Sequence, residues 1–451
     1  MITRISVLAL MLVSALLGAP ARAADRPSFI RDAEIEATIR TWATPLFQAA
    51  GLDPGAVRIH LVKDSSLNAF VAGGLNLFLN TGLLVRTEHA GQVIGVIAHE
   101  TGHIAGGHLA RMDEAMRNAS AEAIIAMVLA GAAAAASGRA DVGSAILMGG
   151  SSVAERSFLG YTRTQESAAD QAAIGLLEAI GESPKGLLEF MEVLGDQELL
   201  VAERQDPYVR THPITRDRVA FLRNTFEHSK LTSAQLPPEY TEMHRRMQAK
   251  LFAFIEPPPR TFLRYREEDA SLEARYARAI AYYRKPDLGR ALPLIDRLIA
   301  ERPKDPYFHE LKGQVLFENG RAKDALPAYR EAVRLLPSSM LMRVSLAQVQ
   351  IELHDDSLLD DAIGHLGYAL GQEEANPFAW RLMAVAQGRR GNEGEAAVAM
   401  SEYALLGGNV AEAIHHAEKA ERLVRRGSPS WLRVQDVKTQ ALHLREERRA
   451  R

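Results

Sequence analysis

His99-Glu100-Thr101-Gly102-His103 places two imidazoles and one carboxylate at the spacing that zinc chemistry requires. On an α-helix, residues i and i+4 share one face a turn apart, so both histidines can bind the same ion. Glu100 sits one step round from His99. That offset keeps it out of the ligand pair but within reach of a water on the ion, the position of a general base in H-E-x-x-H peptidases. Val93, Ile94, Val96, Ile97, Ile104 and Leu109 recur at helical spacing, and no Pro interrupts the segment from Glu88 to Met112, which predicts a helix. An amphipathic core helix with two incidental histidines would show the same periodicity, so the surrounding sequence must decide.

A third ligand is needed, and Arg163 to Asp170 offers one. Glu166 and Asp170 fall at i and i+4 of a second predicted helix, so one carboxylate can bind zinc while the other reaches a ligand histidine or the reacting groups. His108 is the rival. It lies five residues after His103, where the metzincin pattern needs six, so it points elsewhere on the helix and stays outside the ligand set, either supporting a ligand from behind or facing solvent.

The elements that must position these groups are legible upstream. Ile35, Ile39, Trp42, Leu46 and Ala49 mark an amphipathic helix that stops near Gly51 and Pro54. Val57, Ile59 and Leu61 alternate like a half-buried strand, with His60 on its solvent face. Asn68 to Gly74 ends in paired glycines suited to a tight turn, and Leu75 to Asn80 reads as a strand leading straight into the motif helix. Such a strand at a sheet edge would let an extended peptide add by main-chain hydrogen bonds.

The pattern resembles the gluzincin peptidases of the M48 group: H-E-x-x-H at His99 to His103, then E-x-x-A-D at Glu166 to Asp170. Asn68-Ala69-Phe70, Gly73-Gly74, Gly82-Leu83-Leu84, Thr211-His212-Pro213 and Arg218 are similar to further motifs of that group. The resemblance implies one Zn²⁺ per chain held by His99, His103 and Glu166, with Glu100 as general base. Asp170 would be a hydrogen-bonding partner or proton donor. It also implies that His212 lies near the metal, as a transition-state stabiliser or a reversible fourth ligand.

Arg4, the apolar run Ile5 to Gly18 and the small-x-small triplet Ala21-Arg22-Ala23 have the layout of a secretory signal cleaved near Ala23. The chain has no cysteine, which removes thiol catalysis, disulfides and lipoprotein attachment together. A net charge of −3 leaves no basic footprint for nucleic acid. Residues 121–137 form an alanine-rich apolar segment, too weak for a spanning helix; it reads as a lid or a peripheral membrane contact, with mobility suggested by the glycines from Gly131 to Gly150.

Further on, Pro237-Pro238 and Pro257-Pro258-Pro259 bracket a helical connector. Pro303 and Pro337 stand 34 residues apart, the tetratricopeptide period, with Gly313, Ala325, Tyr329 and Ala332 at the small and aromatic positions where paired helices meet. The period extends to about four or five units. The fold expected is therefore mainly α: a signal peptide (1–23), an α+β zincin-type peptidase domain with a small β-sheet (24–230), a helical connector (231–270) and an α-solenoid of repeats (271–451). With the export signal, this combination is similar to a periplasmic branch of the M48 group. That resemblance implies action on misassembled outer-membrane β-barrel proteins and contact with their assembly machinery.

Overall fold

The computed structural model describes residues 28–108, 111, 163–195, 208–209 and 212–450. The signal segment through Ala23, the alanine-rich stretch 121–137 with its glycines, Leu109 and Thr211 lie outside the described residues.

The first helix, α1 (Ala33–Ala49), begins at Asp32, whose carboxylate accepts the Ile35 amide at 2.9 Å. It stops before Gly51, which takes φ +70°. Ile35, Ile39, Trp42 and Leu46 are buried as their periodicity demands, whereas Ala49 is exposed. The strands of a four-stranded sheet flank this helix in sequence, β1 (Phe29–Ile30) before it and β2 (Arg58–Val62), β3 (Ala69–Ala72) and β4 (Asn76–Asn80) after it, in the order β1-β2-β4-β3. β2 and β4 run parallel and the outer pairs antiparallel.

This arrangement corrects two expectations. Gly73 and Gly74, at φ +57° and +90°, close a β3–β4 hairpin, and β4 then pairs with β2 on its other side. The run ending at Asn80 is thus an inner strand, and Ala69–Ala72 is one of the sheet's two edges among the described residues, Phe29–Ile30 being the other. Nor does β4 enter the motif helix directly, because α2 (Thr81–Arg86) intervenes. Its Gly82 lies so close to the chain that a Cβ there would meet Ser65 O at 2.2 Å.

The motif helix α3 (Ala90–Ala105) ends earlier than the predicted Met112. Gly107, at φ +62°, reverses the chain, so His108 lies beyond the helix rather than on it. A helix described over 163–179 (α4) crosses α3, and α5 (Lys185–Gly195), α6 (Arg216–His228), α7 (Pro238–Ile255) and α8 (Pro258–Arg264) follow.

Helix α7 belongs to two cores at once. Met247 and Leu251 join Trp42, Leu46 and Val93 in front, while Ala249 and Ala253 pack with Tyr276 and Phe308 of the repeats behind. The segment read as a connector is therefore a shared wall. Charges are buried along it: Glu34 pairs with Arg246 at 2.7 Å and Lys250 at 3.3 Å, and the Tyr276 hydroxyl donates to Glu34 at 2.7 Å. Isolated, each of these ions would be costly; paired and hydrogen-bonded, they pin one arrangement of α1, α7 and the first repeat.

The array itself is five antiparallel helix pairs: α9 (Leu272–Arg284) with α10 (Leu288–Glu301), α11 (Pro306–Glu318) with α12 (Ala322–Leu335), α13 (Met340–Glu352) with α14 (Leu359–Gln372), α15 (Pro377–Arg389) with α16 (Glu393–Leu406), and α17 (Val410–Leu423) with α18 (Pro429–Ala450). Gly313 faces Tyr329 so closely that a Cβ would stand 2.7 Å from the ring, which is why the sequence keeps that position bare. The middle of the array reaches the front of the chain at the end of α14, where Arg31 Nη1 donates to both Glu373 oxygens at 2.8 and 2.9 Å.

Candidate metal and catalytic site

Helices α3 and α4 can meet closely because of glycine. A Cβ at Gly102 would stand 2.9 Å from Ala169 O and 3.1 Å from Ala172 Cβ. Gly95 plays the same part toward α5, where a Cβ would meet Leu187 N at 2.7 Å. We expect Gly102→Leu to force α4 outward and carry Glu166 away from the histidines. Metal content should fall by more than half while helicity stays, as read by atomic absorption and circular dichroism; full metal occupancy would refute this spacer role.

With the helices so placed, His99, His103, Glu166 and His212 converge, one donor atom from each lying within 4.8 Å of all the others. His99 Nε2 and His103 Nε2 are 3.1 Å apart, and Glu166 approaches them at 3.4 and 3.3 Å. Donors about 2.0–2.1 Å from a tetrahedral ion are about 3.4 Å from one another, so the separations suit zinc. The electrostatics suit a cation as well. Burial lowers the His99 pKa, but the Asp170 and Glu166 carboxylates outweigh it and push it up to about 9. Burial dominates at His103 and drives it down to about 3. Glu166 is held far below the usual carboxylate range, since the three surrounding histidines overcome the cost of burial.

Glu100 is fully buried, and neither of its oxygens has a hydrogen-bond partner among the described residues. His212 Nε2 stands 3.5 Å from Oε1. Burial raises its pKa, so this carboxylate is a stronger base than an exposed glutamate. A buried, unsatisfied carboxylate is expensive, and its retention beside the histidines fits a proton-transfer role.

Asp170, also buried, lies 3.0 Å from His99 Nδ1 and so can accept its proton, turning the Nε2 lone pair toward the cluster. It is itself gripped by Arg218, whose Nε and Nη2 donate to its two oxygens at 2.6 and 2.8 Å. Arg218 Nη1 also reaches Glu166 at 3.0 Å and donates to Pro213 O at 2.7 Å. These bonds couple the His-Pro turn to both carboxylates of α4. His212 Nδ1 faces both Glu166 oxygens at 3.2 Å.

Two features were not assigned from the sequence. Arg218 was noted only as part of a motif, although two buried acids on α4 demand a cation opposite. Tyr208 stacks on His212 at 4.7 Å, and the chemistry of its own position announces nothing. His108 stays outside the four-residue cluster as expected, yet it is buried with Nδ1 2.9 Å from His103 Nδ1.

Compared with known proteins, residues 30–226 match the model described as peptidase family M48, and residues 260–306 and 276–340 match the tetratricopeptide repeat. The beta-barrel assembly-enhancing protease of Yersinia pestis is 24% identical over 375 residues, spanning 82% of this chain and 75% of that one. Its namesake in Escherichia coli O157:H7 is 24% identical over 395 residues, spanning 86% and 79%. Among solved structures, YrrB, a TPR protein with an unusual peptide-binding site, aligns with TM-score 0.33 and 19% identity over 39% of this chain and 91% of that one.

Proposed function

We propose, from the premise that this chain is an M48 metallopeptidase carrying tetratricopeptide repeats, that it is a zinc-dependent endopeptidase of the periplasm that removes misassembled outer-membrane β-barrel proteins. The carrying observation is the convergence of His99, His103, Glu166 and His212 beside the buried Glu100, whose oxygens have no hydrogen-bond partner among the described residues. The names of the relatives and the signal-like first 23 residues support the compartment and the clients. No helix among the described residues is long and apolar enough to cross a membrane.

In this reading His99, His103 and Glu166 hold one Zn²⁺, which supplies Lewis acidity to the scissile carbonyl and to water. Glu100 takes the proton of the attacking water and passes it to the leaving amine. Asp170 fixes the ring of His99, and Arg218 keeps Asp170 ionised. The open edge of β3, which packs on α3, takes up the substrate backbone. The repeats recruit clients or the assembly machinery.

A second reading, in which the chain acts chiefly as a chaperone or scaffold with a latent site, is favoured by one observation. His212 adds a fourth protein donor, and zinc sites closed by four protein ligands are structural rather than catalytic. His212 would then be a plug that yields when substrate arrives. Purified protein should cleave an unfolded β-barrel protein in a chelator-sensitive way, and His212→Ala should keep its zinc while raising that rate severalfold. A variant slowed about a hundredfold would make His212 a transition-state donor instead, and absence of chelator-sensitive cleavage in both proteins would end the peptidase assignment.

A further inference from the structure

The outer face of a sheet packed on one side is ordinarily polar. Here it carries a row of rings, one from each strand. Phe29 on β1 lies 5.9 Å from His60 on β2, His60 stacks on Phe78 of β4 at 4.7 Å, and Phe78 stacks on Phe70 of β3 at 4.9 Å. Their neighbours in the strands, Leu61, Leu77, Leu79 and Val71, point into the core, so the alternation is intact and the rings are the outward set. Phe29 is 52% exposed and the other three are half-buried.

The two ends of this row lie in different places. At the β1 end, Phe29 and His60 line a cavity of about 1620 Å³ between the sheet and the repeats, which contribute Met340, Trp380, Met383 and Leu432. Leu432 is 54% exposed, so the cavity presents apolar surface from both walls, interspersed with charged side chains such as Arg58, Glu374, Arg433 and Asp436. At the other end, Phe70 sits on the edge strand, β3, which packs against the helix bearing His99 and Glu100.

We infer that the ring row is a track for unfolded polypeptide, joining the repeat cavity to the cleavage edge. The occupant is the client chain itself, an extended segment rich in aromatic and other apolar side chains. The row is continuous with the edge strand proposed to hold the substrate backbone, and with a cavity walled by the repeats, an array of a kind that binds protein. A small ligand would need one enclosed pocket; a stripe crossing every strand matches a chain laid over the sheet. Ring contacts of this sort tolerate many sequences, as suits a peptidase that must hold clients differing in detail. The inference rests on the reading of the site as a peptidase centre.

The test compares two substrates, unfolded casein and a fluorogenic octapeptide long enough only for the β3 edge. Phe29→Ser and Phe78→Ser should each lower the ratio of kcat/KM for casein to kcat/KM for the octapeptide by about fivefold, through KM for casein, and Phe78→Tyr should restore it. Separately, p-benzoylphenylalanine at 29 or 78 in the Glu100→Gln chain should crosslink to casein under light. If the ratio stays constant in both serine variants, or if neither position crosslinks, the track is refuted. Crosslinking without cleavage by the wild-type chain would keep the track and reject the peptidase reading.

Discussion

Glu100→Gln should retain the metal and lose peptide hydrolysis by roughly 10²- to 10⁴-fold, the range over which a positioned base contributes. Glutamine keeps the volume of the side chain in a fully buried slot, so packing around α3 should be preserved. What it removes is the ability to take a proton, and no neighbour replaces it. His212 is 3.5 Å away but faces Glu166 with its other nitrogen, and Asp170 is occupied by Arg218 and His99. Metal content by atomic absorption and kcat/KM on unfolded casein are the two readings. A variant with wild-type turnover would sink the assignment, and one that lost its metal would move Glu100 into the ligand set.

Arg218→Met should destabilise the folded chain by roughly 3–5 kcal/mol, because removing one partner of a buried pair strands the other. Asp170 and Glu166 are both buried, and the guanidinium touches each. Asp170→Asn added to Arg218→Met should recover part of the loss, since the stranded charge is then gone. The pH dependence follows in sign. Arg218 and His99, against the opposing cost of burial, hold the Asp170 carboxyl below its ordinary value. Its contribution is therefore fully present above the unfolded carboxylate range, near about 3.9, and is lost as pH falls toward the folded value. The stability gap between wild type and Arg218→Met, measured by urea unfolding, should narrow below about pH 4. A gap that widens with acid would contradict the pairing.

Much of this centre could be read from residue spacing because helices translate spacing into direction. His99 and His103, and Glu166 and Asp170, are both i,i+4 pairs, and each pair did face one way. The repeats were legible for a similar reason: Gly313 and Tyr329 each sit at a position whose size is dictated by the facing helix. What escaped depended on backbone turns and on partners distant in sequence. Gly107 turns the chain and brings His108 back to His103, a contact that helical spacing alone does not specify. The position of β4 inside the sheet rests on its pairing with β2, and no alternation within Asn76–Asn80 reveals which side a neighbour will take. Tyr208 reaches His212 through a backbone bond, the His212 N–H donating to Tyr208 O at 2.7 Å, that no local pattern announces.

The shared helix α7 and the buried ions around Glu34 have one more consequence. Because they fix the first repeats against the peptidase core, the separation between a docking point on those repeats and the scissile position is set by the fold. A client held on the repeats would be cut not where its sequence is favourable but at a set number of residues from where it is held. The chain would then act as a ruler, and its products would carry a characteristic length.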